Sequence, residues 1–203
     1  MTTTQMADRF KEKASLVSAH IHDMGTLEDV FQKTLDLCAA KAPLQSMMPS
    51  SPGQGGSTPV DGEGRVIAAP NLSDAEFTRF QFLCREREIT LIRDGLRRYP
   101  GGIDLGLTHV NFGIAETGTL VLNSNSEETR LSTMLCELHV AVLPASAIRP
   151  TALDMAEELK ALTAIPGSFT AFITGASRTA DIERVLALGV HGPLELHIML
   201  LTE

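Results

Sequence analysis

Residues Phe169 to Pro193, FTAFITGASRTADIERVLALGVHGP, constrain this chain more than any other stretch. Phe169 to Thr174 is a short apolar run rich in aromatic and β-branched residues, which reads as a buried strand. The pattern then predicts a helix that begins after Thr179 and stops at Gly189. Thr179 is its cap, and Asp181 and Glu183 sit in its first turn, where carboxylates complement the partial positive charge of a helix N-terminus. Between them, Gly175 turns the chain and backbone N–H groups point outward beside Ser177, Arg178 and Thr179, an arrangement able to hold a phosphate or carboxylate. Spacing alone fits an ordinary capped loop equally well, because Gly turns chains and Ser or Thr caps helices. The Gly-x-x-x-x-Gly-Lys pattern of a phosphate loop is also missing.

The same alternation of strand and helix runs through the rest of the chain. Residues 5–22 and 26–41 read as two helices separated by Gly25, the second carrying Leu27, Val30, Phe31, Thr34, Leu35 and Cys38 at the spacing that buries one face. Residues 43–64 turn abruptly rich in Pro, Gly and Ser and are expected to be a flexible linker or a flap over a site. A strand over 65–69 follows, then Ser73 and Glu76 as a capping box with Leu72 and Phe77 as its hydrophobic staple, opening a helix to about Glu88.

Further strands are expected over 89–92, 112–116, 119–123, 138–143 and 196–201, and helices over 131–137 and 151–162. Pro100-Gly101-Gly102 reads as a connection, and Thr108 as the cap of a short turn. Such alternation implies a mostly parallel sheet covered on both faces, an α/β domain of three α/β/α layers over 65–203. An N-terminal helical segment, 1–41, and a linker, 42–64, precede it. Glu116, Thr117, Gly118 and Thr119 form a bend at a strand end, where open α/β sheets place their ligands.

At 203 residues the chain is long enough for one domain with a sizeable core. Its net charge of −8 and its scattered Lys and Arg argue against nucleic acid, which asks for a basic stripe. No apolar run approaches the length that crosses a bilayer, and the N-terminus lacks the apolar centre of a secretion signal, so no membrane partner and a cytoplasmic location are expected. Cys38, Cys84 and Cys136 are odd in number and dispersed, with no Cys-x-x-Cys pair to begin an iron–sulfur or zinc site. No metal is expected either. His191 and His197 straddle a turn and a strand, and His20 and His22, two apart on the expected helix, point to different sides.

Three blocks carry a resemblance: GASRTADIE with GVHGPLELHIMLL at the C-terminus, GLTHVNFGIAETGTLVLNS from Gly106 to Ser124, and RLSTMLCELHVAVLPASAI from Arg130 to Ile148. In this order they closely resemble the lactate-utilisation protein C family, the single-domain LUD proteins. Ala176 and Cys136-Glu137 stand where that family has Pro, and neither departure removes a polar group. The resemblance implies a NagB/RpiA/CoA-transferase-like fold. It also implies a place in organic acid catabolism, oxidising L-lactate to pyruvate together with separate iron–sulfur partner proteins.

The same resemblance draws attention to particular side chains. Glu116 and His191 become acid/base candidates. Thr117, Gly118, Thr119, Arg130, Ser132, His139, Gly175, Ser177, Arg178, Thr179, Asp181 and Gly192 become candidate contacts for a small carboxylate or phosphate. Each also has a plainer reading: Glu116 as a turn acceptor, Arg130 as a solvated charge, Ser132 as a helix cap, His139 as a satisfied core histidine, His191 as a turn residue. No cofactor is assigned to this chain, because it has neither cluster ligands nor a dinucleotide fingerprint. An accessory or substrate-binding subunit is the expectation. A free-standing sugar-phosphate isomerase or acyl-CoA transferase is the rival, and a structural adaptor docking through the N-terminal helices is a third reading. The oligomeric state stays open.

Overall fold

The computed structural model describes residues 1–42, 64–164, 166–179, 187–188 and 192–202. In chain order these form α1 (Thr3–Leu16), β1 (Ala19–Met24), α2 (Leu27–Ala40), β2 (Val66–Ala68), α3 (Asp74–Glu86), β3 (Thr90–Ile92), β4 (Ile103–His109), β5 (Phe112–Ile114) and β6 (Thr119–Asn123). There follow α4 (Glu127–Leu135), β7 (Cys136–Pro144), β8 (Ile148–Arg149), α5 (Ala156–Thr163), β9 (Thr170–Ile173), β10 (Arg178–Thr179), β11 (Ala187–Leu188) and β12 (Glu195–Leu201).

Six strands in the order β1-β12-β7-β4-β2-β3 make one sheet, and every neighbouring pair in it is parallel. Parallel strands need both faces covered. On one face α2 and α3 bury Val30, Phe31, Leu35, Phe80 and Cys84 against Leu105, Leu107, Val140, Val142 and Met199, with Phe31 stacked on Phe80 at 4.6 Å. On the other, α1 sets Phe10 and Ala14 against Ala141, Leu143, Ile198 and Leu200. That second layer also holds a four-stranded sheet, β8-β5-β6-β9, in which β5–β6 and β6–β9 are antiparallel. The mostly parallel α/β architecture expected from the alternation is therefore present in the main sheet, and the antiparallel ribbon is an addition to it.

The capping box at Ser73 and Glu76 opens α3 as expected, and the stripe from Val30 to Cys38 is buried along α2. The first helix is shorter than its expected span. It ends at Leu16, Ser18 adopts a left-handed φ of 61°, and Ala19 to Met24 continue as an edge strand paired in register with β12. The reason is a period of two: Ala19 and Ile21 face the apolar layer under α1, while His20 and His22 face the opposite side. The segment 1–41 is thus woven into the domain, supplying one strand and a helix to each face. The expected linker lies, over residues 43–63, outside the described residues.

Strand β4 has no counterpart among the expected strands. Pro100-Gly101-Gly102 suggested a connection and Thr108 a cap, yet Ile103, Leu105 and Leu107 alternate with Gly106 and Thr108 as a buried strand does. Gly106 is small because α4 crosses it: a Cβ there would sit 2.3 Å from the Ser132 carbonyl oxygen. Helix α4 starts earlier than expected, at Glu127, and Cys136-Glu137 already belong to β7. The expected strand over 112–116 stops at Ile114, so Glu116 lies beyond it. Past Thr179, β10 pairs antiparallel with β11, so Ala187 and Leu188 are extended and not helical. Residues 180–186, where that helix would begin, lie outside the described residues.

Candidate functional site

Strand β7 carries His139 onto the face away from α2 and α3, level with Gly106 of β4 on one side and Leu196 of β12 on the other. Thr108, two residues along β4 from Gly106, points the same way, and its hydroxyl lies 2.9 Å from His139 Nε2. Both side chains are buried. Burial alone pushes the His139 imidazole down to about 4, so at neutral pH it is uncharged, with one nitrogen donating and the other accepting. Among the described residues His139 Nδ1 has no hydrogen-bond partner, because Nε2 already takes the only such contact the ring makes.

Above His139 opens a cavity of about 260 Å³, close to the lower bound for small-molecule pockets. Its walls come from four places: Thr133 on α4, Leu196 on β12, the Gly192-Pro193 turn before β12, and the run from Ala171 to Ser177 that leaves β9. The Ser177 N–H donates to the Pro193 carbonyl at 2.9 Å, and a Cβ on Gly192 would lie 3.3 Å from Ser177 Cβ, so the two walls touch. Gly175 makes the bend with a φ of 78°, passing so close to the end of α1 that a Cβ would meet the Val17 carbonyl oxygen at 2.2 Å. Thr174 ties the same run to the bend after β5: its hydroxyl is 2.8 Å from that of Thr119, which is 2.7 Å from that of Thr117.

Of the side chains singled out in the sequence, His139, Gly175, Ser177 and Gly192 line the cavity, with Thr117 and Thr119 one hydrogen bond behind Thr174. Others serve the frame. Arg130 donates from one nitrogen, Nη1, to the carbonyls of Ser124 and Asn125 at 2.6 and 3.1 Å and lies over the Phe169 ring. Arg178 donates to the Val17 carbonyl at the C-terminus of α1, a place that favours a cation. Ser132 is buried and donates within α4 to Thr129, and Gly118, at a φ of 67°, presses against the backbone of Ala14. Glu116 is exposed and does not line the cavity. Thr179 has only its backbone pairing described, and Asp181 and His191 lie outside the described residues.

Sequence reasoning missed Thr108, Thr133, Thr174 and Leu196. Thr108 was hidden with its strand, and the signal that reveals it is the small-residue face Gly106–Thr108 alternating with Leu105 and Leu107. The described residues that line the cavity are all neutral, with no Lys or Arg among them; of their hydroxyls, that of Thr133 donates to the Arg130 carbonyl at 2.9 Å and that of Thr174 bonds Thr119.

A second polar cluster sits on the opposite face of the sheet. His22 Nε2 is 3.1 Å from His197 Nδ1, and His197 Nε2 is 2.9 Å from Glu195 Oε2. His20 stacks on His197 with ring centres 4.8 Å apart. Burial first, with neighbouring positive charge, pushes His22 down to about 4; burial also holds His197 below its ordinary range against the pull of Glu195. The reading that sent His20 and His22 to different sides rested on a helix; on a strand, residues two apart share a side.

Comparison with known proteins gives three results. The LUD domain, as a family model, matches residues 7–201. The chain is similar to several proteins named lactate utilization protein C: that of Shouchella clausii at 35% identity over 180 residues, 85% of this chain and 68% of that protein; that of Anoxybacillus flavithermus at 32% over 146 residues, 70% and 65%; and that of Halalkalibacterium halodurans at 38% over 95 residues, 45% and 41%. The matches therefore take in between 41% and 68% of these relatives' own length. The crystal structure of a DUF162 family protein from Deinococcus radiodurans superposes with a TM-score of 0.62 at 16% identity, covering 100% of this chain and 99% of that one, a likeness of fold.

Proposed function

This chain belongs to the LUD domain family, and we propose that it serves lactate utilisation as the subunit that holds the organic acid, in a system that oxidises L-lactate to pyruvate with electrons passing to separate iron–sulfur partner proteins. The relatives named lactate utilization protein C support the pathway. The observation that carries the role is the buried, uncharged His139 under a small cavity walled by Thr133, Thr174 and Ser177. A neutral imidazole and the hydroxyls of Thr174 and Ser177 provide acceptor and donor atoms for a two- or three-carbon hydroxy acid, and the cavity has room for one.

The chain's own thiols fit a supporting role better than a redox one. Cys38, Cys84 and Cys136 are buried and free, and burial pushes each up to about 12, so without a metal they stay protonated and poor as nucleophiles. An acyl-CoA transferase or sugar-phosphate isomerase at this site would need a nucleophile or a cationic phosphate clamp. Neither Glu116 nor any described Lys or Arg lines the cavity.

The reading is tested by recovering the full chain from its native cells and assaying the eluate for iron, labile sulfide and lactate-dependent dye reduction. All three are expected, with cysteine-rich partners present. A chain recovered alone that binds a phosphosugar or coenzyme A would overturn the proposal.

A further inference from the structure

We propose that His20, Glu195 and His197 bind one divalent transition-metal ion of the zinc class, on the face of the sheet opposite the His139 cavity. The placement follows from register. In the parallel pair β1–β12, His20 stands opposite His197, and Glu195 lies two residues before His197 on the same strand face. One ligand atom from each of the three lies within 4.8 Å of the others. Ligands at zinc distances of about 2.0–2.1 Å stand roughly 3.4 Å apart in a tetrahedron. The closing movement falls on His20 and Glu195, both exposed and free to change rotamer, while the buried His197 stays fixed between them.

The donor set has the right chemistry. Two imidazoles and a carboxylate are the N,N,O ligands that zinc, cobalt and nickel accept, and three protein ligands leave one tetrahedral position open. The ion would take the place of the hydrogen bond between Glu195 and His197 Nε2, bound by both atoms, while His22, 3.1 Å from His197 Nδ1, would hold the ring from two residues along β1. The Lys33 ammonium on α2 acts on both His22 and His197 and opposes a cation, and Glu195 supplies the negative charge that offsets it. His139 and Leu196 face the cavity, whereas His197 points to the other side of β12, so the ion would not touch a ligand bound there. It would instead clip the edge strand β1 to the strand that closes the chain.

The test uses the full chain without an affinity tag, stripped with a chelator and titrated separately with Zn²⁺ and Co²⁺. One ion per chain is expected, with the intense visible absorption of four- or five-coordinate Co²⁺ and a melting temperature raised by Zn²⁺. His20→Ala and Glu195→Gln, at exposed positions that leave the fold intact, should each weaken binding by more than the roughly 10- to 100-fold that an outer-shell change costs. Failure of the wild-type chain to bind one ion, or unchanged affinity in both variants, would overturn the proposal. So would a comparable loss in His109→Ala, whose imidazole faces Glu76.

Discussion

The hydroxyl of Thr108 and Nε2 of His139 lie 2.9 Å apart across β4 and β7, buried beneath the cavity. That contact decides which ring nitrogen is left for a ligand: when Thr108 donates to Nε2, the proton sits on Nδ1 and can be offered to a carboxylate. His139→Leu keeps similar bulk but removes the donor, and binding of L-lactate or pyruvate should be lost. Thr108→Val acts only through the ring and should weaken binding by about 2- to 10-fold, the worth of one neutral hydrogen bond. Ligand-observed NMR titration of the purified chain checks both. Equal affinity in His139→Leu and wild type would remove His139 from the site.

His139 also makes stability depend on pH. Its folded-state value of about 4 lies below the unfolded value near 6.5, so between these limits the unfolded chain binds more protons. The contribution is therefore fully present above about pH 6.5 and is lost as pH falls towards 4. At 1.36 kcal/mol per unit, this one side chain accounts for about 3 kcal/mol. His22 and His197, also lowered, add in the same direction. Urea unfolding at pH 4.5 and 7 should show a smaller pH difference for His139→Asn than for wild type, and an equal difference would assign the acid sensitivity elsewhere.

Deleting residues 1–41 should leave no folded domain. The sequence pattern permitted an N-terminal helical arm that could dock on a partner, but β1 pairs along its whole length with β12, and α1 and α2 bury Phe10 and Phe31 on opposite faces of the sheet. Removing them would expose a parallel edge and both cores at once. Circular dichroism and one-dimensional NMR of the truncated chain, expected to show an unfolded or aggregated product, provide the check. A cooperative melt near that of the full chain would contradict it.

How much was legible in the sequence varied with the physics of each element. Helix α2 announced itself through an apolar stripe and α3 through the capping box at Ser73–Glu76, because those signals are local; the capping box at Thr26–Asp29 emerged only in the structure. Strand β1 was misread because Ala19-His20-Ile21-His22 is too short to separate a period of two from 3.6, and its strand character comes from pairing with β12, nearly the whole chain away. Strand β4 was hidden because Pro100-Gly101-Gly102 looked like a connection and Thr108 like a cap, while Gly106, small because α4 crosses it, leaves that face without an apolar side chain to mark a strand. In the site, Ser177 and His139 were visible through the motifs that carry them. Arg130 was read as a fork for an anion and Arg178 as part of an anion-holding loop; in the structure each gives one terminal nitrogen to backbone carbonyls, a contact that residue type cannot reveal.

Breaking the ion cluster at the end of α2 should cost more than any surface change. Lys41 Nζ lies 3.0 Å from Asp104 Oδ1 and 2.5 Å from Glu137 Oε2, and the other oxygen of Asp104 accepts the Val66 N–H at 2.8 Å. Burial pulls the Lys41 pKa down, but hydrogen bonds to Glu137 and Asp104 outweigh it and hold the group above its ordinary value. Asp104 is itself buried at the start of β4, so the cluster pins the end of α2, β2, β4 and β7 together. Asp104→Ala removes one of the two carboxylates on Lys41, which keeps Glu137, and leaves the Val66 N–H without its acceptor, for which losses of about 1–3 kcal/mol are usual. Lys41→Met, which removes the cation and keeps an apolar stem of similar reach, leaves Asp104 its backbone partner and should cost less. Chemical denaturation of both variants at neutral pH measures the order. If Lys41→Met proves the more destabilising, the cluster's worth lies in the cation's attraction and not in relieving the buried carboxylate and strand N–H.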